Sequence, residues 1–152
     1  HRRDAVLVAM GFDSHQWRRE KRRFRDVKLI DLDYTDGKEK RDIFDACDVF
    51  AMPSRAEAFG IVFLEAWMCG KPVIGAKAGA TPEIVKDGVD GSLVKFGGTK
   101  ELAQKILYLL ENPSVSETLG KRGKERIIKN YTWSIIAGKV ETLYKSVCST
   151  AT

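Results

Sequence analysis

Short apolar runs alternate with stretches whose apolar residues recur every three or four positions, from Ala5 almost to the end of the chain. That alternation predicts strands joined by helices, the layout of a parallel α/β sheet. Ala5–Met10 (AVLVAM) is unbroken by polar residues, as expected of a strand buried on both faces. Gly11 ends it, and a helix is expected from about Asp13 to Phe24. Val27–Ile30 reads as the second strand, and Lys38–Cys47 as a helix with an apolar stripe of Ile43, Phe44 and Cys47. Val49–Met52 is the third strand, stopped at Pro53-Ser54. Ile61–Cys69 is an apolar helix closed by Gly70, a residue suited to the left-handed position after a helix end. Pro72–Gly75 is the fourth strand. Thr81-Pro82-Glu83 opens a further helix, with Thr81 placed to cap it and Pro82 at its first position. Gly91–Val94 is the fifth strand.

Everything after Thr99 has helical spacing: Lys100–Glu111, Glu117–Asn130, and Trp133–Val147 with a stripe of Trp133, Ile136, Val140, Leu143 and Val147. The fold expected is therefore a Rossmann-like, doubly wound parallel α/β sheet of about five strands, with helices on both faces and a helical C-terminal end. The 152 residues contain no linker, repeat or low-complexity segment, so residues 1–152 read as one domain.

Composition adds exclusions. With 43% apolar and 31% charged residues the chain is of the water-soluble globular class. No apolar run approaches the ~20 residues that cross a bilayer, and His1–Asp4 lacks the apolar core of a signal peptide. Cys47, Cys69 and Cys148 are too scattered, and His1 and His15 too few, for a metal site; none is expected. The cysteines read as reduced, small apolar fillers, which fits a cytoplasmic setting.

The net charge of +5 is uneven, with Arg18, Arg19, Lys21, Arg22, Arg23 and Arg25 crowded together. Trp17, Lys21 and Phe24 share one helical face, which turns both aromatics to the core and leaves the arginines as its solvated side. Contact with a membrane surface or an acidic partner is the alternative. A nucleic-acid partner is not expected, because a basic patch calls for exposed aromatics or a reader element beside it.

The chemistry concentrates in Pro53-Ser-Arg-Ala-Glu57-Ala-Phe-Gly60-Ile-Val-Phe-Leu-Glu65-Ala66. A strand ends, a loop presents Ser54 and Glu57, and a glycine precedes a helix. Ligands of doubly wound sheets bind beyond the carboxyl ends of the strands. A helix start there offers unpaired amides and the positive end of a dipole, a seat for a diphosphate. Gly60 lets the backbone approach a phosphate without a side chain in the way. Glu57 and Glu65, eight residues apart, flank that seat. Carboxylates repel phosphate, but they accept hydrogen bonds from sugar hydroxyls. Glu65 is also out of place within the apolar helix Ile61–Met68, where an unpaired charge is costly.

This stretch resembles the Glu-x7-Glu motif of the retaining, two-domain glycosyltransferases of the group 1 family, which have the GT-B architecture. Asp48–Ser54 before it, and Cys69–Gly75, Ala78–Val85 and Asp87–Val94 after it, continue the likeness in register, and Tyr131-Thr-Trp133 is similar to the family's aromatic-x-Trp entry to its closing helix. The likeness runs from about Ala5 to Val147 and implies the donor-binding, C-terminal domain of such an enzyme. Implied roles follow: Glu57 is the catalytic carboxylate at the transferred sugar; Ser54 and the amides of Phe59, Gly60, Ile61 and Val62 hold sugar and diphosphate; Glu65 binds the ribose. The loop at Asp31, Leu32 and Asp33 would face the base, although the family usually has glycine where Asp31 stands. The chemistry implied is transfer of a hexose from a nucleoside-diphosphate sugar with retained anomeric configuration and no metal or other cofactor.

The family's domain begins with one more strand, central in its sheet, and its enzymes carry an N-terminal acceptor-binding domain. Neither is present in these residues, so the chain is expected to be N-terminally truncated and inactive alone. Implied partners are the nucleotide sugar, the missing acceptor domain, a partner chain completing the sheet as an oligomer, and peripheral membrane contact through the parent protein. The alternative is a non-catalytic nucleotide-sugar-binding or scaffolding module of the same fold. Lys71, Lys77 and Lys86 are the lysines that follow Glu65 most closely in sequence and read as surface charges.

Overall fold

Strands and helices follow one another in the predicted order, and all described strand pairings are parallel. The computed structural model describes residues 4–11, 14–23, 28–32, 35 and 37–149. They fall into two compact units, His1–Ile43 and Phe44–Thr152. The expected sheet of about five strands is accordingly two separately bonded sheets, of two and three strands.

In the first unit β1 (Val6–Met10) pairs with β2 (Lys28–Leu32), Val6 opposite Lys28 and Met10 opposite Leu32. Between them lies α1 (His15–Lys21), capped by Ser14, whose Oγ accepts the Trp17 amide at 3.0 Å. The Thr35 hydroxyl donates to Met10 Sδ at 2.6 Å. The expectation that β1 is buried on both faces is not met: Val6 is 49% exposed, and Leu7 and Val8 are exposed as well. Among the described residues of this unit, two short strands and a seven-residue helix, with the start of the helix that follows, leave those side chains open. Trp17 is half-buried, as its stripe predicts, whereas Phe24, Arg25 and Val27 lie outside the described residues.

The second unit orders its strands β3 (Phe50–Met52), β4 (Val73–Ala76) and β5 (Ser92–Val94), with β4 central and wholly buried. The helix α2 (Gly37–Ala46) leads into β3, and α3 (Ile61–Met68) returns from β3 to β4. α4 (Thr81–Ile84) is a single turn before β5. Then come α5 (Thr99–Glu111), α6 (Pro113–Asn130) and α7 (Trp133–Ser149). Ile74, Val94, Leu109 and Leu119 form a buried core cluster, flanked by Val49, Leu102, Ile106 and Val115.

The structure departs from four sequence expectations. α6 starts at Pro113 rather than Glu117, because proline fits a helix's first position, where its missing N–H has no partner to lose. Ala80, not Thr81, holds the cap position of α4; Thr81 is the first helical residue and buried, its methyl turned onto β4 at Gly75. The apolar stripe of α7 is real but buries nothing among the described residues: Trp133 is 89% exposed, and Val140, Leu143 and Val147 are exposed too. Cys148, on that helix, is likewise exposed rather than a core filler.

α3 and α6 are joined through a buried polar brace. Asp90 is 2% exposed; its Oδ1 accepts the Lys86 amide at 2.7 Å, and its Oδ2 pairs with Arg126 Nη1 at 2.6 Å. Its carbonyl accepts the indole N–H of the fully buried Trp67 at 2.8 Å. Gly123 of α6 lies flat on that indole, so close that a Cβ would overlap the ring. Gly123→Ala should therefore destabilise the chain by about 2 kcal/mol or more through overpacking, read from the urea unfolding midpoint.

Candidate donor-binding site

β3 delivers the chain to Pro53 and Ser54, both half-buried, and the loop to Gly60 turns it into α3. Gly60 is left-handed, with φ 74° and ψ 48°, and a Cβ on it would lie 2.7 Å from Phe63 Cδ2. Glycine is thus required for the turn itself, in addition to any ligand approach. No side chain caps α3 by hydrogen bonding. The helix start, where the amides of Ile61 and Val62 lie, keeps the positive end of its dipole.

The Gly60 amide has an acceptor within the protein. It donates to Glu57 Oε1 at 3.1 Å, so the carboxylate that should meet the sugar is held by the first amide of the turn. One oxygen of Glu57 is occupied in this way, which orients the other. Glu57 is half-buried, and Phe59 beside it is exposed with its ring edge-on to Tyr131, 6.0 Å between centroids. Tyr131 in turn lies under the Arg126 guanidinium at 5.9 Å. Glu65 is half-buried on the second turn of α3, with its Oε2 enclosed.

The loop after β4 closes the site from the neighbouring strand. The Ala80 amide donates to the Glu57 carbonyl at 3.1 Å, and Gly79 lies against the Glu57 backbone. Ala78-Gly79-Ala80 was recognised in sequence only as continuing the family pattern; three small residues after a strand were the available sign of a close approach. The contact of Phe59 with Tyr131, far apart in sequence, had no sign at all.

The three lysines that follow Glu65 most closely in sequence each have a partner within the protein. Lys77 Nζ lies 3.5 Å from Asp87 Oδ2, Lys71 Nζ donates to the Asp45 carbonyl at 2.8 Å, and Lys86 Nζ to the Pro82 carbonyl at 3.2 Å. Burial pushes the Cys47 thiol up, and burial with the Asp45 carboxylate raises Cys69 to about 11, so neither is a thiolate nucleophile at neutral pH.

Of the residues expected to face the base, Asp33 lies outside the described residues, and Leu32 ends β2 opposite Met10. Asp31 is engaged locally. Its Oδ1 accepts the Trp17 indole N–H at 2.8 Å, and its Oδ2 pairs with Lys21 Nζ at 2.6 Å, which ties α1 to β2.

Parallel strands, with a glycine turn and a helix start at the carboxyl end of β3, define an α/β domain suited to a phosphate-bearing ligand. The sequence pattern of the family described as "Glycosyl transferases group 1" matches residues 2–126, and the chain belongs to that family. It is 36% identical over 115 residues to the alpha-maltose-1-phosphate synthase of Mycobacterium tuberculosis, covering 72% of this chain and 30% of that protein. The crystal structure of Anabaena HepE in complex with UDP-glucose is similar with a TM-score of 0.77 at 28% identity, over 92% of this chain and 41% of that one. The C-terminal domain of a glycosyl transferase group 1 family protein from Francisella tularensis matches with a TM-score of 0.74 at 26% identity, over 84% of this chain and 70% of that one. The chain thus spans about a third of the length of the curated relatives it matches.

The Asp31 contacts make the first unit sensitive to acid. Hydrogen bonds from Lys21 and then Trp17 hold its carboxyl below the usual carboxylate range. A depressed folded value means that the tether is present above the unfolded value and is lost as pH falls through the folded one. The Trp17 indole N–H resonance should move with that titration, and Asp31→Asn should abolish the movement.

Proposed function

We propose that this chain is the donor-binding domain of a retaining hexosyltransferase, seating a nucleoside-diphosphate sugar at the start of α3. The observation that carries the reading is the pairing, at one strand end, of a helix start without a side-chain cap and a carboxylate held by the adjoining amide. The UDP-glucose bound to a relative of the same fold supports the ligand class.

In this reading the amides of Phe59, Ile61 and Val62 hold the diphosphate, and Ser54 lies at the edge of its seat. Charge that builds on the leaving diphosphate meets dipoles already in place, so stabilisation needs no reorganisation at the moment of transfer. The Gly60 amide acts indirectly, by fixing Glu57 toward the sugar hydroxyls. Glu65, a turn further along the helix, accepts from the ribose. No metal is required, because the amides and helix dipole supply the electrostatic role a cation would otherwise fill. The acceptor is bound by a second domain, and free cysteines at Cys47, Cys69 and Cys148 support a cytoplasmic setting.

Titration calorimetry of the chain against UDP-, GDP- and ADP-sugars tests the reading. One class should bind, and Glu65→Ala should weaken it by about 1.5–3 kcal/mol, roughly ten- to a hundredfold in Kd. Absence of heat with all three would count against donor binding.

A further inference from the structure

Glu57 is gripped from behind by a loop that belongs to a different strand. Lys77 leaves β4 with its amide still bonded to the Val94 carbonyl at 2.8 Å. Four residues later Thr81 is buried, and its Cγ2 would lie 2.5 Å from any Cβ at Gly75, so the strand has no side chain where the methyl lodges. Anchored at both ends, the loop has one course, and its middle runs along the Glu57 backbone. The Ala80 amide donates to the Glu57 carbonyl at 3.1 Å.

Gly79 is left-handed, with φ 56°, which alone favours glycine. The neighbouring atoms make the case specific. A Cβ on Gly79 would lie 2.8 Å from the Glu57 nitrogen, 3.1 Å from its carbonyl oxygen and 3.4 Å from Ala56 Cα. All three are backbone atoms, so no rotamer change makes room; the loop carrying Glu57 has to move. Any such movement changes the distance from Glu57 Oε1 to the Gly60 amide, now 3.1 Å.

We infer that Gly79, together with the Ala80 amide, is a positioning residue for Glu57: it sets where that carboxylate stands relative to the start of α3. The inference rests on the reading of Glu57 as the carboxylate facing the donor sugar. It separates two functions within one site. The diphosphate seat belongs to α3, whereas the sugar-facing carboxylate depends on the β4–α4 loop.

The test uses the whole chain, ¹⁵N-labelled, as wild type, Gly79→Ala and Ala80→Pro, the last replacing the N–H donated to Glu57 with a ring carbon. The Gly60 amide resonance depends on the bond to the Glu57 carboxylate, so adding Glu57→Ala to the wild-type chain should shift it. That response should disappear in both variants. In parallel, Kd is measured for UDP and for UDP-glucose. The variants should keep UDP binding while the ratio of the two constants shifts about tenfold against UDP-glucose. A Gly60 response that survives in the variants overturns the inference, as does an equal loss of UDP and UDP-glucose affinity. If Gly79→Ala does not fold, Ala80→Pro decides. A wild-type chain that binds neither ligand defeats the donor-site reading, while the Gly60 response still decides whether Gly79 places Glu57.

Discussion

Asp90 sits in the turn before β5 with both carboxylate oxygens and its carbonyl engaged, and most of the second unit is referred to it. A charge buried to this depth costs several kcal/mol unless it is paired and hydrogen-bonded. Here the Lys86 amide and Arg126 meet the requirement at the two carboxylate oxygens, and the Trp67 indole holds the Asp90 carbonyl. Arg126 also reaches the carbonyls of Ile84 and Glu83. Neither α3 nor α6 can shift without breaking a contact to a buried charge or overlapping the Trp67 ring at Gly123. The start of α3 is therefore held from its far end.

The front of the site is controlled by close backbone approach instead of by ions. Gly60, Gly75 and Gly79 each lack a side chain where one would collide, at Phe63, at Thr81 and at Glu57 respectively. Two loops from adjacent strands are thus brought together with little freedom, and the Glu57 carboxylate is the group they jointly place. Preorganisation of this kind suits an electrostatic site, since dipoles fixed by packing need not turn as charge develops.

Much of this was legible from pattern. The strand and helix order, the glycine turn at Gly60 and the paired acids at Glu57 and Glu65 all stand in short segments where period and residue type agree. What was not legible depended on partners far away in sequence. An apolar run such as Ala5–Met10 signals that a strand wants cover, but it cannot say whether its own unit supplies any. The same holds for the stripe on α7. Asp31 looked like part of a binding loop because its partners, Trp17 and Lys21, lie on a helix read for its arginines. Thr81 resembled a cap by residue type and turned out to be packed by its methyl, since Gly75 leaves a hollow there. The bond from the Gly60 amide to Glu57 is likewise set by the turn's geometry, which residue types alone do not specify.

Each strand pairing joins strands adjacent in the chain: β1 with β2, β3 with β4, β4 with β5. Paired residues such as Val6 and Lys28, Phe50 and Val73, or Ile74 and Ser92 are only roughly twenty positions apart, so loop-closure entropy is modest for a parallel sheet. The parts of the candidate site, from Ser54 to Thr81, lie inside one such local stretch. The search that assembles them is short. A nascent chain can pair these three strands once β5 has emerged, while α3 gains its brace only when α6 follows.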